Sequence, residues 1–91
     1  MLEKQIETAV KDYARSKDWL AYKWTSPGHA FVPDGLFISP TGRVICMEFK
    51  QLGKKATPGQ QREIDRLNQH HVYAVVVDSV KKGRELIDAY S

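Results

Sequence analysis

Residues 33–50 read PDGLFISPTGRVICMEFK, and this stretch decides the fold. Ser39-Pro40-Thr41-Gly42 carries Pro at the second turn position and Gly at the fourth, as a type I turn prefers. The flanking runs, 34–38 and 43–50, are therefore expected to be the two strands of a β-hairpin. Side chains alternate along a strand. The return strand thus separates a wholly apolar row, Ile45, Met47 and Phe49, from a row that turns polar: Val44, Cys46, Glu48, Lys50. Such a strand belongs in the middle of a sheet. Glu48 and Lys50 share one face, roughly 6 to 7 Å apart, and Asp34 opens the partner strand.

Outward from the hairpin, the pattern is helical or extended by turns. Leu2, Ile6, Ala9, Val10 and Tyr13 have the spacing of an amphipathic helix over residues 2–16. Residues 19–24 are aromatic-rich and read as a strand, followed by a loop from Thr25 to Pro33. Beyond a basic loop, Gln51 to Ala56, Thr57-Pro58 supplies an N-cap and a Pro at the first helical position, starting a helix to about Gln69. Val72 to Val77 is an apolar run of the kind that forms a strand covered on both faces. Asp78 or Ser79 can cap a last helix with Val80, Gly83, Ile87 and Tyr90 on one side. The expected order is α-β-β-β-α-β-α: a single α/β domain over residues 1–91 with a mixed sheet between helices and a parallel β-α-β unit at its end.

Composition narrows the function classes. The chain has 91 residues, 42% of them hydrophobic and 10% aromatic, as in an ordinary globular domain. A domain this small buries only about 60% of its unfolded surface, so association with a second copy would help it. No apolar run approaches the ~18 residues of a membrane span, and the N-terminus shows no signal-peptide stretch. Cys46 is the one cysteine. It cannot form an internal disulfide, which points to a reducing, cytoplasmic setting. The net charge of +3 is a mild bias toward phosphate-bearing partners.

Charged groups on the covered face of a central strand are costly unless paired or bound to metal, so Asp34, Glu48 and Lys50 form the candidate site. Hard carboxylate oxygens suit Mg²⁺ or Mn²⁺, and hydrolysis of a phosphodiester needs a cation, an activated water and a group that orients it. Lys50 is placed to orient that water or to stabilise transition-state charge. Glu3 lies about 70° from the centre of the first helix's apolar stripe and can reach inward as a third carboxylate; Glu7, about 110° away, is expected to be solvated. Gln60 shares a helical face with Ile64 and Leu67, so its amide is directed at the sheet. Thr57-x-x-Gln60 is also a capping box, and the two roles are compatible.

These residues match a family. Pro33-Asp34-Gly35 with Glu48-Phe49-Lys50 resembles the PD-(D/E)XK nuclease signature. The run Thr57-Pro58-Gly59-Gln60, with Ile64, Leu67 and then His71 to Val76, is similar to the VRR-Nuc branch of that superfamily, as is Glu3 followed by Ile6. The resemblance covers Glu3 to about Tyr90. It implies a restriction-endonuclease-like fold, catalytic roles for Asp34, Glu48, Lys50, Gln60 and Glu3, and Mg²⁺ or Mn²⁺ held by Asp34, Glu48 and Glu3. It also implies a viral or prophage origin and a dimer that cuts branched DNA such as four-way (Holliday) junctions. Gly35 departs from the pattern, since many members carry a bulky apolar residue there.

A flap or general structure-selective nuclease, and a non-catalytic DNA-binding module of the same fold, remain as alternatives. Lys54, Lys55 and Arg62 are expected to contact phosphates, which positions DNA without reading its sequence; His29 is a further candidate. Trp19, Tyr22 and Trp24 can stack on bases, pack in the core or meet a second copy. His70 and His71, adjacent at a helix end, are read as a C-terminal cap and its neighbour.

Overall fold

A computed structural model describes residues 1–91. The order is the expected one: α1 (Glu3–Ser16), β1 (Leu20–Lys23), β2 (Gly35–Ile38), β3 (Val44–Phe49), α2 (Pro58–Gln69), β4 (Tyr73–Val77) and α3 (Val80–Tyr90). The four strands lie in the order β1-β2-β3-β4. The first two pairings are antiparallel and β3 with β4 is parallel, so the sheet is mixed and β3 is interior. No helix is long and apolar enough to cross a membrane.

The hairpin turn closes through the Gly42 amide, which donates to the Ser39 carbonyl at 2.9 Å. Gly42 has φ of 88°, a conformation that glycine adopts without steric cost. The Ser39 hydroxyl accepts from the Arg43 amide at 2.9 Å, fixing the start of the return strand. Register follows from this turn.

The two rows of β3 face two cores. Ile45, Met47 and Phe49 are fully buried with Ile6, Val10 and Ala14 of α1, Ile87 of α3, Phe37 and Val77. On the other face Cys46 packs with Ile64 of α2 and Ala74. α1 and α3 cover one face and α2 the other. α3 crosses α1 at Gly83, where an added Cβ would fall 2.4 Å from Val10 Cγ2. Ser79, rather than Asp78, caps α3, accepting from the Lys82 amide at 3.1 Å. Asp78 instead accepts from the Gly53 amide at 3.3 Å.

Two details, at Leu2 and Glu7, differ from the sequence expectation. Leu2 is the exposed N-cap of α1 rather than part of its apolar stripe, and Ala14 completes the stripe instead. β4 is covered on both faces, as its apolar run implies, and it lies at the sheet edge, paired only with β3. Glu7 is not simply solvated: its carboxylate accepts an ion pair from Lys11 at 2.6 Å, and both side chains are largely covered. Gly35 has a steric reason. A Cβ there would sit 2.6 Å from Phe37 Cε1, so the Phe37 ring occupies the space a bulky side chain would need.

Candidate active site

The β2–β3 register pairs Gly35 with Met47. Continuing it by one rung sets Asp34 opposite Glu48, and residues directly opposite in an antiparallel pair have Cβ atoms about 4.5–5.5 Å apart. The turn thus brings two carboxylates separated by 14 residues into one place. Asp34 is anchored there: its Oδ2 accepts a hydrogen bond from the Phe49 amide at 3.0 Å, while its carbonyl accepts from the Trp24 amide at 2.9 Å. Lys50 continues past β3, its amide donating to the Val77 carbonyl at 3.0 Å.

Glu48 is 3% exposed. Its pKa is pushed from 4.5 up to about 8. Burial is the largest cause and the Asp34 charge the next; a protonated Glu48 also gains a hydrogen bond to Asp34. Lys50 pulls the value down, and Glu3 adds a smaller upward push. The three ion pairs in the molecule are Lys11–Glu7, His29–Glu63 and Lys81–Glu85. None involves Asp34 or Glu48. The two carboxyls therefore lie together, Glu48 buried and Asp34 half-buried, without a contacting cation.

Gln60 reaches this locus from α2. Its Nε2 donates to Glu48 Oε2 at 3.5 Å, while its Oε1 accepts from the Thr57 amide at 3.0 Å. The capping box and the contact to Glu48 coexist, and the first orients the amide for the second. Gln61 points elsewhere and donates to Asp65 at 2.9 Å.

Not every expected residue converges. Glu3 is exposed at the start of α1, and its charge is felt at Glu48, yet no three His, Cys, Asp or Glu side chains gather closely enough to ligate one ion. Lys54, Lys55 and Arg62 are exposed, as phosphate contacts must be. His29 is engaged within the protein, its Nε2 lying 2.8 Å from Glu63 Oε1. Trp19 is buried and donates from Nε1 to Ser91 Oγ at 3.0 Å. Trp24 packs on the smaller core and Tyr22 is exposed. His70 caps α2, its Nδ1 lying 2.7 Å from the Arg66 carbonyl. Burial raises the Cys46 thiol to about 11, in keeping with an inert core residue. The aromatic residue overlooked in the sequence is Phe31, exposed in the loop before Asp34; its loop position gave no periodicity to mark it.

Two carboxylates, with the rest of the coordination sphere left to water and phosphate, suit a hard divalent cation. The Asp34 and Glu48 carboxyls, set side by side with no cationic side chain in contact, are the observation that fits one.

An Asp at the head of one hairpin strand, facing Glu-x-Lys at the end of its partner on a mixed sheet, defines the PD-(D/E)XK class. Comparison with known proteins gives the branch. The protein named "Putative nuclease p44" of Acyrthosiphon pisum secondary endosymbiont phage 1 is 40% identical over 77 residues, 85% of this chain and 83% of that protein. A solved VRR_NUC domain superposes with a TM-score of 0.89 at 29% identity, covering 98% of this chain and 97% of its own. A VRR_NUC domain protein superposes with a TM-score of 0.80 over 99% of this chain and 88% of its own; at 20% identity it bears on the fold alone. No family model matches the sequence. The chain belongs to the VRR-Nuc family.

Proposed function

We propose that this protein is a Mg²⁺- or Mn²⁺-dependent endonuclease that cuts branched DNA, such as four-way (Holliday) junctions, as a homodimer. The observation that carries the proposal is the Glu48 carboxyl, buried beside Asp34 with no ion-pair partner. The nuclease name of the phage relative supports it.

Asp34 and Glu48 would hold the metal, which supplies charge neutralisation and a more acidic water when bound. The Phe49 amide keeps the Asp34 carboxylate in place, and Gln60 Nε2 steadies Glu48. Lys50 orients the attacking water or stabilises negative charge growing on the phosphate. Deprotonated Glu48 is the competent ligand, so its raised pKa makes metal and proton competitors. Lys54, Lys55 and Arg62 position the backbone by charge. Contacts of this kind follow the backbone without reading sequence, so DNA shape is the natural determinant. Two sites related by a two-fold axis suit paired cuts in a two-fold branched substrate.

The test is a panel of labelled four-way junctions, flaps, forks and linear duplexes incubated with Mg²⁺ or EDTA, with sedimentation to measure subunit number. Paired metal-dependent cuts across the junction by a dimer are expected. Preferential cutting of flaps would move the substrate assignment. Chelator-insensitive binding without nicks would make the protein a non-catalytic module.

A further inference from the structure

Phe31 is a large apolar residue in an unfavourable setting. It is 53% exposed and has φ of 70°, where a bulky side chain is a genuine outlier and glycine or asparagine would be at ease. Such conformations persist where the surrounding structure holds them and concentrate at functional sites. The ring lies on Gly59: a Cβ added there would fall 2.7 Å from Phe31 Cζ, so the absence of a side chain at residue 59 makes the seat.

The ring's neighbours point to a charged, planar ligand. It borders a cavity of about 290 Å³ shared with Arg62, Arg66, His29 and Glu63. The His29–Glu63 pair braces one wall. With two arginines against one glutamate the lining is net positive whatever the charge of His29. Phe31 is also tied to the candidate active site from both sides: it precedes Asp34 by three residues, and Gly59 adjoins Gln60, which contacts Glu48. A basic surface combined with an exposed aromatic face is how proteins hold unpaired bases without reading their sequence. Of Trp19, Tyr22 and Trp24, the aromatics singled out in the sequence, the exposed one is Tyr22, and it lies on β1, two strands away from β3.

We propose that Phe31 is a stacking platform for one unpaired nucleotide of the DNA substrate, with Arg62 and Arg66 taking its phosphates. It deepens the nuclease assignment above and rests on it for the identity of the substrate. A binding measurement in EDTA tests it without cleavage. The probe is a duplex carrying a single unpaired 2-aminopurine, compared with the same duplex fully paired, followed by 2-aminopurine fluorescence and by anisotropy.

The wild-type protein should bind the unpaired probe more tightly and change its fluorescence. Phe31→Gly should weaken that binding about tenfold, yet keep its thermal midpoint within a few degrees of wild type, since glycine adopts this φ freely. Phe31→Tyr should retain the preference. Gly59→Ala, whose Cβ displaces the ring, should lose part of it. Equal binding of both probes by the wild type, or a preference that survives Phe31→Gly, would overturn the proposal; the latter would assign the exposed ring to another partner. A retained, Phe31-dependent preference in a protein that cuts no DNA with Mg²⁺ or Mn²⁺ would sink the nuclease assignment and leave the platform standing.

Discussion

Gln60 and Glu48 are joined by the Gln60 side-chain amide, whose Nε2 donates to the buried carboxylate at 3.5 Å while its Oε1 closes the capping box on Thr57. One side chain therefore serves the start of α2 and the candidate active site. Thr57→Ala removes the hydroxyl that accepts from the Gln60 backbone amide and should cost about 0.5–2 kcal/mol of stability, with little loss of cleavage, because the Thr57 backbone amide still holds Gln60 Oε1. Gln60→Glu keeps an acceptor for Thr57 but sets a second carboxylate against Glu48. It should retain most of the stability, lose most of the activity and move the pH profile upward. Denaturant melts and single-turnover rates across pH separate the two variants. Equal loss of activity in both would make Gln60 merely structural.

Glu48 links stability to pH in the metal-free protein. Its pKa is raised from 4.5 to about 8 in the folded state, so the fold binds a proton that the unfolded chain has already released. That contribution is complete below about pH 4.5 and is lost as pH rises through about 8. Urea unfolding in EDTA should therefore show wild type losing stability relative to Glu48→Gln between about pH 4.5 and 8, with Glu48→Gln the more stable at the alkaline end. Parallel curves would mean that the carboxyl is not buried as described.

Divalent metal should reverse this trend. Ligation requires the deprotonated carboxylate, so the rise in melting temperature on adding Mg²⁺ or Mn²⁺ should grow with pH through about 8. It should vanish in Glu48→Gln. A shift of equal size in that variant would place the ion elsewhere.

The Gly83–Val10 crossing sets the position of α1 over the sheet. Gly83→Ala introduces a Cβ 2.4 Å from Val10 Cγ2 and should destabilise by about 1–3 kcal/mol. Adding Val10→Ala should recover part of that loss, because it clears the clashing methyl. Chemical denaturation of the single and double variants gives the coupling directly; strict additivity would contradict this packing.

Phosphate contacts should reveal themselves through salt. Each of Lys54→Ala, Lys55→Ala and Arg62→Ala is expected to reduce the slope of log affinity against log salt by about 1 where the side chain meets a phosphate. Cleavage at saturating DNA should stay near wild type for the two lysines. An unchanged slope would exclude the residue from the interface.

Much of this arrangement was legible in the sequence because its determinants are local. The Ser39–Gly42 turn sets the register, and the register alone carries Asp34 to Glu48. Alternation along β3 separated the two cores, and Thr57-Pro58 marked the start of α2 to the residue. What escaped depends on tertiary placement. The apolar run of β4 announced cover on both faces, but strand composition does not tell an edge strand covered by helices from a central one. Helical angle placed Glu3 near the apolar stripe but could not say how far α1 sits from the hairpin. Gly35 looked like a departure from the family until the Phe37 ring filled its space. Phe31 sits in a loop, where no periodicity exists to reveal exposure or a left-handed backbone.

The most direct measurement is cleavage of a labelled four-way junction by wild type, Glu48→Gln and Lys50→Ala, each with Mg²⁺ and with EDTA, after circular dichroism has verified that all three are folded. Discrete, metal-dependent cuts by wild type alone are predicted. Equal products from the folded variants, or cutting undiminished by EDTA, would contradict a metal-dependent centre at Asp34, Glu48 and Lys50.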